Sequence, residues 1–155
     1  MRVYLDTEFA DWDDPDTDLI SLALVAEDGR EFYAERTDFD LRKCTRFVRL
    51  NVLPLLGAPG VLRLDNSALK RAVLEWLAQI PQPEIAVDYD GDWALLARLL
   101  GSDMPAGLTV INIYKTLDKE KLEAYYVLHD APRHHALHDA RANKAAALNY
   151  PEGAR

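Results

Sequence analysis

Asp6 and Glu8 sit in a segment that otherwise has the pattern of a core strand. Val3 to Phe9 reads Val-Tyr-Leu-Asp-Thr-Glu-Phe, with apolar residues alternating in the strand period. The two acids are two residues apart, so both project from one face. Unpaired carboxylates are costly to bury. A sheet that includes this segment must leave the strand end in water or bring a counter-charge to it, and on spacing alone a solvated pair is the commoner outcome.

The remaining pattern predicts an α/β chain. Leu19 to Ala26 and Arg30 to Ala34 read as two further strands, with Asp28-Gly29 between them as a hairpin turn needing positive φ. These three strands form an antiparallel meander. Asp40 to Leu50 is a candidate helix, and Leu55 to Leu64, with Gly57, Pro59 and Gly60, is a loop. A helix capped by Asp65 or Asn66 runs to about Gln79 and buries Leu69, Val73, Leu74 and Leu77. Ile85 to Tyr89 and Leu108 to Ile113 are strands four and five, each preceded by helix and so able to join in parallel. Helices are expected at about Asp92 to Leu100 with Gly101 as C-cap, at Lys119 to Tyr126, and from near His134 to about Leu148. The expectation is a mixed five-stranded sheet, three antiparallel strands then two parallel, flanked by helices.

With 155 residues, 49% hydrophobic and 28% charged, the chain suits a single domain over 1–155 and excludes disordered, collagen-like and disulfide-scaffold classes. No apolar run approaches the roughly 20 residues that cross a bilayer, and the N-terminus has no signal-peptide pattern. The single cysteine, Cys44, forms no internal disulfide and reads as a small, partly buried apolar residue. A cytoplasmic protein with no membrane partner is expected. The net charge of −8 is uneven: residues 1–40 carry −10 and residues 41–155 carry +2. Leu41 to Leu64 holds no acid but includes Arg42, Lys43, Arg46, Arg49 and Arg63. The net charge argues against strong non-specific duplex-DNA binding. The basic stretch reads either as a solvated helix face or as a local guide for a polyanion.

Further acids stand at element ends. Asp88, Asp90 and Asp92 fall within five residues at the end of the fourth strand, and Asp92 is preferred because Trp93-Ala94-Leu95-Leu96 continues it as helix. Asp139 lies in the last helix within His134-His135-Ala136-Leu137-His138-Asp139. Hard oxygen ligands with few histidines favour Mg²⁺ or Mn²⁺ over Zn²⁺. Two such ions about 3.5–4 Å apart suit in-line attack of water on a phosphodiester, with a histidine taking the proton. His135 lies one helical turn before Asp139 on its face, and periodicity alone does not separate it from His134.

In this order, Asp6-Thr7-Glu8, Asp92 and His134-x4-Asp139 resemble the DEDDh 3′–5′ exonucleases of the ribonuclease-H-like fold, a group that includes ribonuclease T, oligoribonuclease and polymerase proofreading domains. Glu27-Asp28-Gly29-Arg30-Glu31-Phe32-Tyr33-Ala34, Tyr89-Asp90-Gly91-Asp92-Trp93 and His135-Ala136-Leu137-His138-Asp139-Ala140-Arg141 are most similar to the short bacterial exoribonucleases related to ribonuclease AS. The resemblance implies a metal-dependent 3′–5′ exoribonuclease acting on single-stranded RNA 3′ ends and releasing nucleoside 5′-monophosphates. It assigns Asp6 to both of two Mg²⁺ or Mn²⁺ ions, Glu8 and Asp139 to the water-binding ion, Asp92 to the other, and His134 to the general base. Phe9 and the backbone after it would hold the terminal nucleotide, Glu8 would lie near its 2′-hydroxyl, and pairing as a homodimer is implied. A DNA-directed or sugar-tolerant exonuclease, a ribonuclease-H-type endonuclease and a non-catalytic nucleic-acid-binding module are the competing readings.

Several residues remain open at this level. Trp12, in the acidic loop Asp11–Asp18, is a candidate to stack on a nucleobase. Arg133 and Arg141 are candidates for phosphate contact. Trp76 and Trp93 read as core. One of Tyr125 and Tyr126 should face the site and the other the core, and His138 should lie at the surface.

Overall fold

Strand β1, Arg2–Phe9, lies near the middle of a six-stranded mixed sheet in a computed structural model that describes residues 1–147. The other strands are β2 (Leu19–Ala26), β3 (Glu31–Arg36), β4 (Leu62–Leu64), β5 (Glu84–Val87) and β6 (Thr109–Asn112), in the spatial order β4-β3-β2-β1-β5-β6. β1, β2 and β3 pair antiparallel, as their short connections require. β5 pairs parallel with β1 and β6 parallel with β5 after helical crossovers. Gly29, at φ +96°, makes the β2–β3 turn.

The sheet is covered on both faces, so all eight residues of β2 are buried. Val3 and Leu5 of β1 face α2 (Asn66–Leu77) and α3 (Asp90–Leu100), where Leu69, Val73, Leu77, Leu96 and Leu100 complete the main core. Tyr4, one residue out of phase, faces the other layer with Ala23 and Val25, against Ala136 and Ala140 of α5 (Ala136–Ala146). The alanines of α5 let its backbone lie close on the sheet. Each fully buried leucine contributes roughly 1.5–3 kcal/mol. Asp65 caps α2 by accepting from the Ala68 amide at 2.8 Å. Gly101 ends α3 at φ +57°. No helix among the described residues is long and apolar enough to cross a membrane.

Four expectations change. The sheet has a sixth strand, β4, within the segment expected to be loop. It is only three residues long and pairs parallel with β3, with Arg63 opposite Glu35. Buried Glu35 anchors this edge through Arg63 at 3.7 Å and the Gly57 amide at 2.9 and 3.0 Å. The helix expected at Asp40 to Leu50 is split into a 3-10 turn, Leu41–Lys43, and α1, Arg46–Asn51. Thr45 is extended between them and its side chain accepts from the Val48 amide, a cap that starts a new helix. The helix α4 extends to Lys119–His129, ending on Asp130 at φ +46°. The last helix starts at Ala136 because His134, at φ +61°, is outside helical conformation, and the expected end at Leu148 lies outside the described residues.

Candidate active site

The alternation of β1 decides where its acids go. Asp6 and Glu8 share the phase of Tyr4 and so point to the α5 layer, whereas Thr7 points to the α3 layer. Asp139, in the first turn of α5, meets the first pair: carboxylate oxygens of Asp6, Glu8 and Asp139 lie within 4.8 Å of one another. A second group, Asp6, Asp88 and Asp92, meets the same criterion. Asp6 belongs to both. The sequence-predicted acids Asp6, Glu8, Asp92 and Asp139, dispersed along the chain, are therefore gathered at the carboxyl end of β1, with helices from both layers reaching over that end.

Asp88 was outweighed by Asp92 at the level of sequence, yet both face Asp6. The Asp88 side chain leaves the end of β5 and accepts from Asn143 Nδ2 at 2.9 Å. Asn143 is a buried amide one turn beyond Asp139 on α5. Asp92 is only 3% exposed, and its Oδ1 accepts from both the amide (3.1 Å) and the hydroxyl (2.5 Å) of Thr7. Asp90 turns outward and accepts from Asn112 Nδ2 at 2.6 Å. Asp139 has both oxygens engaged, Oδ1 by the Tyr126 hydroxyl at 2.7 Å and Oδ2 by the His134 amide at 3.0 Å.

No lysine or arginine forms an ion pair with any of these five acids among the described residues. Burial holds Asp6 well above the ordinary carboxylate value, and Asp92, Asp139, Glu8 and Asp88 push it the same way. Burial, then Asp139 and Asp92, pushes Glu8 up to about 8. Burial pushes Asp92 up to about 7, outweighing the two Thr7 hydrogen bonds that favour its charged form. Asp139 is also raised by burial, against the bond from Tyr126. Such mutual repulsion between hard oxygen donors is what a divalent cation relieves, so the residues fit one.

His134 and His135 separate cleanly. His134 is exposed, its amide is tied to Asp139, and its ring meets Phe47 of α1 edge to face at 4.9 Å. His135 is half-buried and stacks on Tyr33 at 4.9 Å. His138 does not lie free at the surface as expected: it is half-buried, 4.9 Å from the His135 ring, because the α5 face it occupies is covered. Burial holds both of these imidazoles below the ordinary histidine value.

Aromatic side chains line the Asp88–Asp92 flank. Trp12, 64% exposed, stacks on Tyr89 at 4.2 Å, and Phe9 lies 5.8 Å from Trp12 and 6.3 Å from Tyr89. Tyr89 was missed as a site residue. The available signal was Gly91: a Cβ there would stand 2.0 Å from Tyr89 Cε1, so only glycine lets the ring lie across the start of α3. Tyr126 is the tyrosine that faces the acids. Arg133 lies over its ring, 4.1 Å from the centroid, and pairs with Glu123. Arg141 is held by Glu31 at 2.5 Å. Cys44 is buried, and Trp76 and Trp93 are partly buried against the main core.

No family model matches the chain. Curated proteins from two strains of Mycobacterium tuberculosis, each named a 3′–5′ exoribonuclease, are 49% identical to it over 60 residues, 39% of this chain. The match spans 35% of the length of each relative. Among solved structures, a moderately thermophilic Exonuclease I from Methylocaldum szegediense superposes with a TM-score of 0.60 at 16% identity. That superposition covers 93% of this chain and 38% of the other, and at this identity it speaks for the ribonuclease-H-like fold.

Proposed function

We infer, on the support of a partial match to curated 3′–5′ exoribonucleases and of the ribonuclease-H-like fold, that the chain is a metal-dependent exoribonuclease. It removes nucleoside 5′-monophosphates one at a time from the 3′ ends of single-stranded RNA in the cytoplasm. The observation that carries this reading is Asp6 standing in two groups of carboxylates at once, with His134 tied to the outer one.

Asp6, Glu8 and Asp139 would hold one Mg²⁺ or Mn²⁺ ion, and Asp6 and Asp92, with Asp88 beside them, a second. Bound there, such ions lower the pKa of an attacking water and neutralise charge on the departing oxygen. The protein supplies the rest. Phe9 and Trp12 stack on the terminal base, and Glu8 lies where the 2′-hydroxyl of that nucleotide is read. The His134 imidazole takes the proton from the attacking water, an assignment supported by its exposure and by the hydrogen bond its backbone N–H donates to Asp139. The 3′ oxygen of the preceding nucleotide leaves and becomes the new end.

A digestion series tests this. Single-stranded RNA with a free 3′-hydroxyl should yield mononucleotides with Mg²⁺ or Mn²⁺ and none with chelator, and a 3′-phosphate block should stop it. Faster cleavage of matched DNA would reassign the substrate, internal cuts in blocked RNA would point to an endonuclease, and no product from any strand would leave a binding module.

A further inference from the structure

We infer that the outer face of α1, with Arg46 and Phe47, is the track on which the RNA strand lies upstream of the nucleotide being removed. This rests on the exoribonuclease reading and adds to it the part of the substrate that the carboxylate site does not hold.

α1 stands in the acid-free stretch of an otherwise acidic chain. Its inner face is fixed: Val48 packs with Cys44, Val52, Ala10 and Ile20 in a separate small core, and the Thr45 amide donates to Ala10 O at 3.0 Å, tying the helix to the end of β1. The opposite face is open, with Phe47 52% and Leu50 64% exposed. Burial does not explain a phenylalanine there. Its one aromatic neighbour among the described residues is His134, so Phe47 stands against the Asp139 flank of the site while Tyr89 and Trp12 stand against the Asp88 flank.

The cations of the acid-free stretch differ in availability. Arg42 is compensated by Asp40, Lys43 by Asp18 and Arg63 by Glu35. Arg49 donates to the carbonyls of Cys44 and Leu41 at 2.9 and 2.5 Å, which orients it without cancelling its charge. Arg46 is exposed and has neither a carboxylate nor a carbonyl partner among the described residues. An uncompensated guanidinium beside an exposed aromatic ring is the pairing that single-stranded nucleic acid uses, phosphate on the cation and base on the ring. A terminal base laid against the Phe9–Trp12–Tyr89 aromatic patch, with its phosphodiester near His134, directs the next nucleotides over Phe47 and Arg46.

Steady-state kinetics on a dinucleotide and a ten-nucleotide RNA, with Arg46→Glu and the exposed control Arg71→Glu, test the track. Arg71 is on α2, and its substitution changes the net charge equally. The expected result for Arg46→Glu is a KM for the decamer raised about five- to tenfold, with the dinucleotide changed less than twofold. The salt dependence of decamer binding by the inactive Asp6→Asn chain, read by fluorescence anisotropy, should become shallower by about 0.7 in log–log slope when Arg46→Glu is added. An unchanged decamer KM, an equal loss on both lengths, or an equal loss in Arg71→Glu would overturn the track. Failure of the exoribonuclease reading looks different: the unaltered chain would then turn over neither RNA.

Discussion

The phenol of Tyr126 donates to Asp139 Oδ1 at 2.7 Å while the amide of His134 donates to Oδ2. One contact comes from α4 and the other from the turn before α5, so a single carboxylate fixes how these segments meet. Tyr126→Phe removes a donor without changing the packed ring. The expected result is a folded protein whose affinity for Mn²⁺, measured by calorimetric titration, falls about 10-fold or more, the range for groups that orient a metal ligand. Unchanged affinity would show that Asp139 needs no such orientation.

Glu8 at about 8 and Asp92 at about 7 both exceed the ordinary carboxylate values of 4.5 and 3.8. Between about pH 4 and 8 the folded chain therefore keeps protons that the unfolded chain releases, and stability falls as pH rises. Melting of the metal-free protein should occur at lower temperature at pH 8 than at pH 5.5. Mg²⁺ or Mn²⁺ should restore most of the difference at pH 8 by taking the place of the protons. A metal-free melting temperature that rises with pH would contradict the charge arrangement.

Asp6 is repelled by four neighbouring carboxylates. Asp6→Ala should abolish nearly all turnover and, in chelator, raise the melting temperature, since repulsion is removed along with a ligand. A variant that is both active and no more stable would remove Asp6 from the centre of the site.

His134→Ala should lower kcat by roughly 10²–10⁴-fold if its imidazole takes the proton. His135→Ala should mainly cost stability, because that ring packs on Tyr33 and His138. A larger kinetic loss in His135→Ala would reverse the assignment.

Gly91→Ala drives a methyl group into the Tyr89 ring. The clash is with side-chain atoms alone and Gly91 lies in the first turn of α3, so the ring should turn aside and the fold should hold. The Trp12–Tyr89 stack should not. Intrinsic tryptophan emission should change, and KM for RNA should rise more than kcat falls. Unaltered emission would mean that the ring keeps its place.

Much of this arrangement was legible because it follows short-range periodicity. A two-residue repeat puts Asp6 and Glu8 on one face, and the apolar spacing of Leu69, Val73 and Leu77 fixes the buried side of α2. What was not legible depends on partners far away in the chain. Three residues become strand β4 only because β3 offers an edge and Glu35 an anchor. Asp88 turns toward Asp6 in the grip of Asn143, 55 residues later. Tyr89 and Phe47 read as ordinary aromatics until the fold sets them beside Trp12 and His134. Choosing His134 over His135 needed the resemblance, since helical spacing points to His135 while the helix itself begins only one residue after it.

The acids come from opposite sides of the sheet: Asp92 on α3 from one, Asp139 on α5 from the other, with β1 between them. With only one layer docked on the sheet, one of the two carboxylate groups lacks its helix-borne member, Asp92 or Asp139. Both carboxylate groups are therefore complete only once the two helical layers have closed on β1, so assembling the site and finishing the fold are one event.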